Sequence, residues 1–301
     1  MQQTHLITII IPTYGRSDFL LRSLKSVLNQ TYSNIEIIIV DDNGKDTENQ
    51  LNTYQKLKQF LYKDNKIKYV IHEKNLNGAA ARNTGIKESK GEYICFLDDD
   101  DEFEKEKIEK QYNKLEKNKE KYGACYCGHS RIKNGKKIST YLPQEEGNIL
   151  LPLLLQQIDA CTGSTLMIRR ETLDKVVGFD VNFKRHQDYE FIARVAYFTN
   201  IAVVSESLVR IHMHKGSYSQ KKYEDIIATR KQYNNKMKNY TSGLTERQKR
   251  DFNYNNYLVL AKSAVKYKKA KDLLDFSFKS RSPKIIIDLI KDGLVYIKGN
   301  K

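Results

Sequence analysis

Residues 75–103 read NLNGAAARNTGIKESKGEYICFLDDDDEF, and this stretch decides the fold class. Ala79–Glu88, entered through Asn77-Gly78, is rich in small side chains and predicts a helix that packs closely on its support; Gly91 breaks it. Tyr93–Leu97 is a short apolar run of strand type that leads without a spacer into Asp98-Asp99-Asp100-Asp101. The carboxylates therefore sit at the carboxyl end of a sheet strand, where open α/β sheets bind ligands.

Outward from this point the alternation of strand and helix recurs. Leu6–Ile11 reads as a buried strand ended by Pro12; a turn through Tyr14 and Gly15 leads to a helix begun near Ser17, with Phe19, Leu20, Leu24, Val27 and Leu28 on its inner side. Ile35–Val40 and Ile67–Ile71 are further buried strands. Between them a polar helix from Thr47 to Lys63 carries Leu51, Tyr54, Leu57 and Leu61 at helical spacing. Downstream, the pattern predicts a charged helix over Glu102–Lys121, a strand over Tyr122–Ser130 and a turn at Asn134-Gly135. An apolar run Ile149–Leu155, strand-like Ser164–Ile168, helices near Glu171–Val176 and Asp188–Phe198, and strand-like Leu208–Ile211 follow. Strands alternating with helices predict an α/β domain around a mostly parallel sheet over residues 1–220. Residues 221–301 are Lys/Tyr/Asn-rich and helical in pattern, with Pro283 expected to break them before Ile285–Ile290.

Composition narrows the function. With 301 residues and 40% hydrophobic content the chain can bury one sizeable core and a smaller appended one. Of the formal charge of +15, residues 221–301 contribute 20 Lys+Arg against 8 Asp+Glu, a surplus of 12. The remainder is near balance, which argues against a uniformly basic nucleic-acid binder. The tail reads as a lysine-rich solvated helix face, with attraction to an anionic membrane surface or an acidic partner as the functional alternative. No apolar run reaches the ~18 residues of a membrane span, and MQQTHLITIIIP lacks a basic start and a cleavage site, so a cytoplasmic location is expected. Cys95, Cys125, Cys127 and Cys161 read as reduced thiols; Cys125 and Cys127 are too close for zinc-knuckle spacing and have no second pair.

Four consecutive aspartates are poor filler for helix or strand, and like charges repel, so something cationic is expected beside them. In an extended segment Asp98 and Asp100 project to one side, where two hard oxygen donors can share a divalent ion, Mg²⁺ or Mn²⁺, and leave positions for water and diphosphate oxygens. Such an ion neutralises charge on a leaving diphosphate. The alternative is an acidic loop capping a helix begun near Glu102.

Four ordered motifs, ITIIIPTYGR, SVLNQTYSNIEIIIVDDNGKD, the stretch at 75–103, and GFD followed by HQDYEF, make residues 6–215 resemble glycosyltransferase family 2. The resemblance implies the GT-A fold, a Rossmann-like, mostly parallel sheet flanked by helices. It implies a nucleotide-binding half (1–101) and an acceptor half (102–220), with 221–301 as a basic helical C-terminal extension outside the match. Pro12, Thr13, Tyr14 and Arg16 would line the base and phosphates; Asp41 would accept from the uracil N–H; Gly78 and Arg82 would touch the nucleotide, although Arg82 is nearly as well read as a salt-bridge partner. Asp98 and Asp99 would hold the donor, Asp100 and Asp98 the metal, with His212, or else His214, completing its shell. Asp188 would be the general base, with Glu190 in reserve; the plainer reading makes Asp188 a helix N-cap.

The implied activity is an inverting, Mn²⁺- or Mg²⁺-dependent transfer from a UDP-sugar to a hydroxyl of a glycan, lipid-linked or glycoprotein acceptor. The alternatives are a nucleotidyltransferase making a nucleotide sugar, against which IIIPTYGR speaks because it is no glycine-rich phosphate loop, and a basic nucleic-acid or membrane-surface binder. Expected partners are the donor and acceptor, with no nucleic acid. The C-terminal region is a candidate for peripheral contact at the inner face of the membrane and for homo-oligomerisation.

Overall fold

Ile7, Ile9, Ile10 and Ile11 are wholly buried because the strand they form has a parallel neighbour on each side. In the computed structural model, which describes residues 5–155, 157–158, 163–183, 185–214 and 222–291 apart from 283, 286 and 290, that strand is β1 (Ile7–Thr13). It is followed by α1 (Ser17–Leu28), β2 (Ile35–Asp41), α2 (Glu48–Lys63), β3 (Ile67–Ile71), α3 (Gly78–Glu88) and β4 (Tyr93–Phe96). The order β3-β2-β1-β4 is parallel throughout. Chain order reverses direction between β1 and β4, and a crevice opens at the carboxyl ends of strands at such a switch point.

α3 lies directly on β1. A Cβ at Gly85 would come within 2.3 Å of the Ile10 side chain, so the small residues read from the sequence are required by close approach. Asn77 starts α3 in a left-handed conformation, its side chain accepting from the Ala79 and Ala80 amides.

The second half of the sheet is mixed. β5 (Glu102–Phe103), α4 (Lys107–Lys117), β6 (Ala124–Lys133), β7 (Lys136–Tyr141), α5 (Leu150–Leu154), β8 (Leu166–Arg169), α6 (Arg170–Val176), α7 (Gln187–Phe198) and β9 (Ile201–Met213) follow in chain order. β4 continues through antiparallel β8 to β6, β9 and β5, with β7 hanging off β6. Three expectations change here. Glu102 and Phe103 are not helical, because they pair with Arg210 and Val209 of β9, and the helix starts only at Lys107. The aspartate run therefore does not cap it. β9 is far longer than Leu208–Ile211, because β6 runs beside most of it, and β7, exposed and without apolar alternation, carries no sequence signal.

α2 turns a different face inward than its leucines suggest. Gln50, Thr53 and Leu57 are buried, while Leu51 is exposed. Gln50 is drawn in by the amide of Asp46 and the hydroxyl of Tyr69, and Thr53 faces the Asn43 side-chain amide while bonding the Asn49 carbonyl of its own helix. Cys95, Cys125 and Cys127 are buried free thiols; Cys161 lies outside the described residues.

The chain separates into two compact units, Met1–Leu150 with Ile158–Ser217, and Leu151–Gln157 with Tyr218–Lys301. The second consists of α8 (Tyr223–Met237), α9 (Glu246–Lys266) and α10 (Ala270–Lys279), closed on a core of Tyr223, Ile227, Leu260, Ala261, Ala264, Phe276 and Ile285. Thr245 and Gln248 form a capping box at the start of α9. The break expected at Pro283 lies outside the described residues. Among those described, no helix is long and apolar enough to cross a membrane.

Candidate active site

The aspartate run is a turn, not an extended segment. The Asp101 amide donates to the Asp98 carbonyl at 3.0 Å, so the four carboxylates fan out instead of alternating. Asp98 meets Arg82 Nη2 at 2.6 Å. Asp99, almost fully buried, accepts from the Thr13 hydroxyl at 2.7 Å and the Tyr14 amide at 3.3 Å. Arg16 Nη1 lies 2.5 Å from Asp100 and 3.3 Å from Asp99. Asp101 turns inward to the Ser164 hydroxyl at 2.7 Å. α1 holds the turn from behind: the Ser23 hydroxyl lies 2.8 and 2.6 Å from the Asp99 and Asp101 carbonyls, and Arg22 donates to the Asp100 carbonyl at 2.7 Å.

In front of the turn lies a cavity of 240 Å³. Pro12 and Thr13 from the end of β1, Tyr14 and Arg16 from the loop after it, Gly78, Ala81 and Arg82 from α3, and Asp98 and Asp99 all line it, as does Asp42. A Cβ at Gly78 would stand 3.1 Å from Arg82 Nη1 and 3.4 Å from Gln187 Oε1, so glycine keeps this wall open. Tyr14 is exposed and its ring is free to stack. The arrangement offers an aromatic face, two guanidiniums and a helix N-terminus beside carboxylates, at the switch point of the sheet. That is a combination suited to a nucleoside diphosphate.

Residues 8–177 match the family model described as Glycosyl transferase family 2. The chain belongs to glycosyltransferase family 2. Among its relatives, the amylovoran biosynthesis glycosyltransferase AmsB of Erwinia amylovora is 31% identical over 229 residues, 73% of either chain. An uncharacterized glycosyltransferase of Rickettsia bellii is 32% identical over 86% of this chain but only 36% of its own length. The fold is that of solved GT-A glycosyltransferases. S. aureus TarS 1-349, in complex with UDP-GlcNAc, aligns over 92% of this chain and 90% of its own with a TM-score of 0.61 at 17% identity. The mannosyltransferase PcManGT of Pyrobaculum calidifontis, in complex with GDP-Man and Mn²⁺, aligns over 98% of this chain and 81% of its own with a TM-score of 0.63 at 15% identity.

Beyond the residues that match the family model, Asp188 also approaches Arg82, its Oδ1 3.9 Å from the same Nη2 that meets Asp98. It stands in the first turn of α7, and His186, in a left-handed conformation, takes the N-cap position, so Asp188 is not the cap. Asp188 Oδ1 and Arg82 Nε are both buried without a hydrogen-bond partner. Desolvation raises the Asp188 carboxyl to about 6, and the charge of Asp98 adds to this while Arg82 opposes it. Burial works against the charge of Arg82, and the carboxylates of Asp98 and Asp188 more than restore it. Glu190 is committed elsewhere: fully buried, its two oxygens bond Arg194 at 2.6 and 2.7 Å.

Burial lifts Asp99 to about 7 against the pull of Thr13 and Arg16, and raises Asp100 and Asp101, whose like-charged neighbours add to the effect. His212 Nε2 bonds Glu102 at 2.5 Å, its backbone N–H reaches the Asp101 carboxylate, and burial lowers its pKa, so its imidazole is neutral. His214 stacks on Phe19, ring centroids 4.1 Å apart. Among the described residues no three His, Cys, Asp or Glu side chains converge closely enough to hold a metal.

Asp41 ends β2 fully buried and does not line the cavity; Asn43 and Tyr69 bond its carboxylate. Its neighbour Asp42 does more. It collects His72, Asn75 and the amides of Leu76 and Asn77, which fixes the entry to α3, and it faces the cavity. The signal was present in the pair Asp41-Asp42 at a strand end, but nothing local distinguishes the two.

Proposed function

We propose that this family 2 enzyme transfers a sugar, with inversion, from a UDP-sugar to a hydroxyl of a glycan, lipid-linked or glycoprotein acceptor. The observation that carries the proposal is the juxtaposition at Arg82: its Nη2 meets both Asp98, which lines the cavity, and the buried Oδ1 of Asp188.

Tyr14 stacks on the base and Arg16 and Arg82 take diphosphate oxygens, for which planar guanidinium donors are suited. Asp98 and Asp99 hold the ribose and sugar side. Asp188 removes the acceptor proton as the hydroxyl attacks the anomeric carbon from the face opposite the departing diphosphate. A carboxylate raised to about 6 is ionised at neutral pH yet basic enough to take that proton. Residues 1–101 carry the donor half of this chemistry and 102–220 the acceptor half.

Asp98, Asp100 and His212 are of the donor types that a divalent ion, Mn²⁺ or Mg²⁺, takes, but they do not converge on one point: Arg82 holds Asp98, Arg16 holds Asp100 and Glu102 holds His212 Nε2, so binding an ion would require these contacts to yield. When bound there, the ion would offset charge on the departing diphosphate.

The full chain incubated with Mn²⁺ and a panel of nucleotide sugars is expected to be thermally stabilised by UDP-sugars and to hydrolyse one of them slowly. Asp188→Asn is expected to keep UDP affinity within about twofold and to lose transfer by roughly 10³-fold. Stabilisation by no nucleoside diphosphate would overturn the reading, and normal turnover of Asp188→Asn would move the base elsewhere.

A further inference from the structure

The C-terminal unit holds a cavity of 390 Å³ among α8, α9 and α10 whose lining is not explained by helix packing. Lys231 and Lys238 reach it from α8 and the turn that follows, Lys249 from α9 and Lys279 from α10, and no Asp or Glu lines it. Lys249 and Lys279 pair only with exposed carboxylates on their own helices, Glu246 and Asp275, each at 2.8 Å, contacts that yield readily to another anion. Lys231 and Lys238 form no ion pair among the described residues.

Between these lysines stand Asn234, Asn235, Asn253 and Asn256. Asparagine is a poor helix former because its side chain competes for backbone partners, so four of them in two helices call for a tertiary reason. Asn256 has one, accepting from the buried Arg230 at 2.8 Å. The other three do not. Asn234 Oδ1 is buried without a hydrogen-bond partner, and the side-chain amides of Asn235 and Asn253 bond no other described residue. Phe252 and Tyr257 add aromatic surface to the same wall.

Amides that both donate and accept suit the hydroxyls of a sugar ring, an aromatic face suits its C–H side, and unopposed ammonium groups select a negative substituent. The volume is that of a small-ligand site and would take one or two pyranose rings. We propose that this cavity binds an anionic glycan, a sugar chain bearing carboxylate or phosphate groups. Within the transferase reading such a chain is of the acceptor class; this assignment rests on that reading, whereas the binding itself does not.

The test is direct binding to the full chain, followed by calorimetry and ligand-observed NMR, which needs no turnover. The probes are oligogalacturonate, a phosphorylated mannan fragment, neutral maltooligosaccharide and single-stranded RNA of matched charge. At least one of the two anionic glycans is expected to bind and the neutral one not. Lys231→Ala/Lys238→Ala, both exposed positions, is expected to weaken that binding about tenfold or more and Asn253→Ala severalfold, with UDP-sugar stabilisation and Tm unchanged. Binding of neither anionic glycan, equal binding of the neutral one, or indifference to the lysine pair would overturn the proposal. Tighter binding of RNA that ignores Asn253→Ala would overturn it too, as it would reveal a generic polyanion surface. Binding as expected by a chain that transfers no sugar would keep this site and remove the transferase reading instead.

Discussion

In the sheet-containing unit the decisive charges are withdrawn from water and each has a named holder: Asp99 and Asp101 are 5% and 3% exposed and are tied to Thr13, Arg16 and Ser164. In the helical unit the lysines around its cavity stand at the surface, paired weakly or not at all. Burial makes a charge expensive and therefore particular about its partners, so the first unit should respond steeply to single substitutions. Exposed charge is screened, so the second should respond through binding and hardly through folding.

Arg82→Ala should break the comparison's first half most severely. It leaves Asp98 and Asp188 facing each other without a counter-charge, and we expect a loss of about 3 kcal/mol, discounted for the partial exposure of Asp98, together with loss of UDP-sugar binding. Chemical denaturation and donor titration would show it; near-normal stability would mean that water already screens the pair. Next comes pH. With Asp188 at about 6 against 3.8 unperturbed, its contribution to stability is whole below about pH 4 and is lost as pH rises to 6. Transfer should accordingly climb through about pH 6 as the base ionises, while Asp188→Asn should remove that climb and the Asp188 share of the stability change, leaving the share of Asp99, raised to about 7. Denaturation midpoints and rates measured from pH 4 to 8 would check the two signs together.

Gly85→Ala tests packing in the same unit. Its Cβ would meet Ile10 at 2.3 Å, and forcing α3 off β1 should cost about 1–3 kcal/mol, read as a fall in Tm. In the helical unit Thr245→Ala removes the capping box of α9, and about 1 kcal/mol of local stability should go with it, visible as faster amide exchange in the first turn. At the small end, Lys279→Ala breaks only its bond to Asp275 and should leave Tm unchanged within a degree or so. A large fall there would show that surface charge in this unit does carry folding energy.

Legibility followed the same divide between local and distant causes. β1 to β4 and their helices could be read because fully buried strands are continuous β-branched runs and α3 announces itself by its small residues. Glu102–Phe103 could not, because its pairing with β9 depends on residues about a hundred positions later. Nor could the inner face of α2, where leucine periodicity lost to bonds made by Gln50 and Thr53. Apart from Ala81, the cavity-lining residues from β1, the loop after it, α3 and the aspartate turn were named from motifs, whereas Asp42 was passed over, since its role depends on partners drawn from a separate loop.

By itself the sequence determined that carboxylates end a central strand, because strand, break and acidic run are contiguous and need only local propensity to be placed. Which way each carboxylate faces was decided by tertiary structure alone. The Asp98–Asp101 turn, the two arginines that reach it from α3 and the loop after β1, and the approach of Asp188 to Arg82 bring together residues more than a hundred positions apart. Chain folding alone sets those distances, and with them the charge each acid keeps.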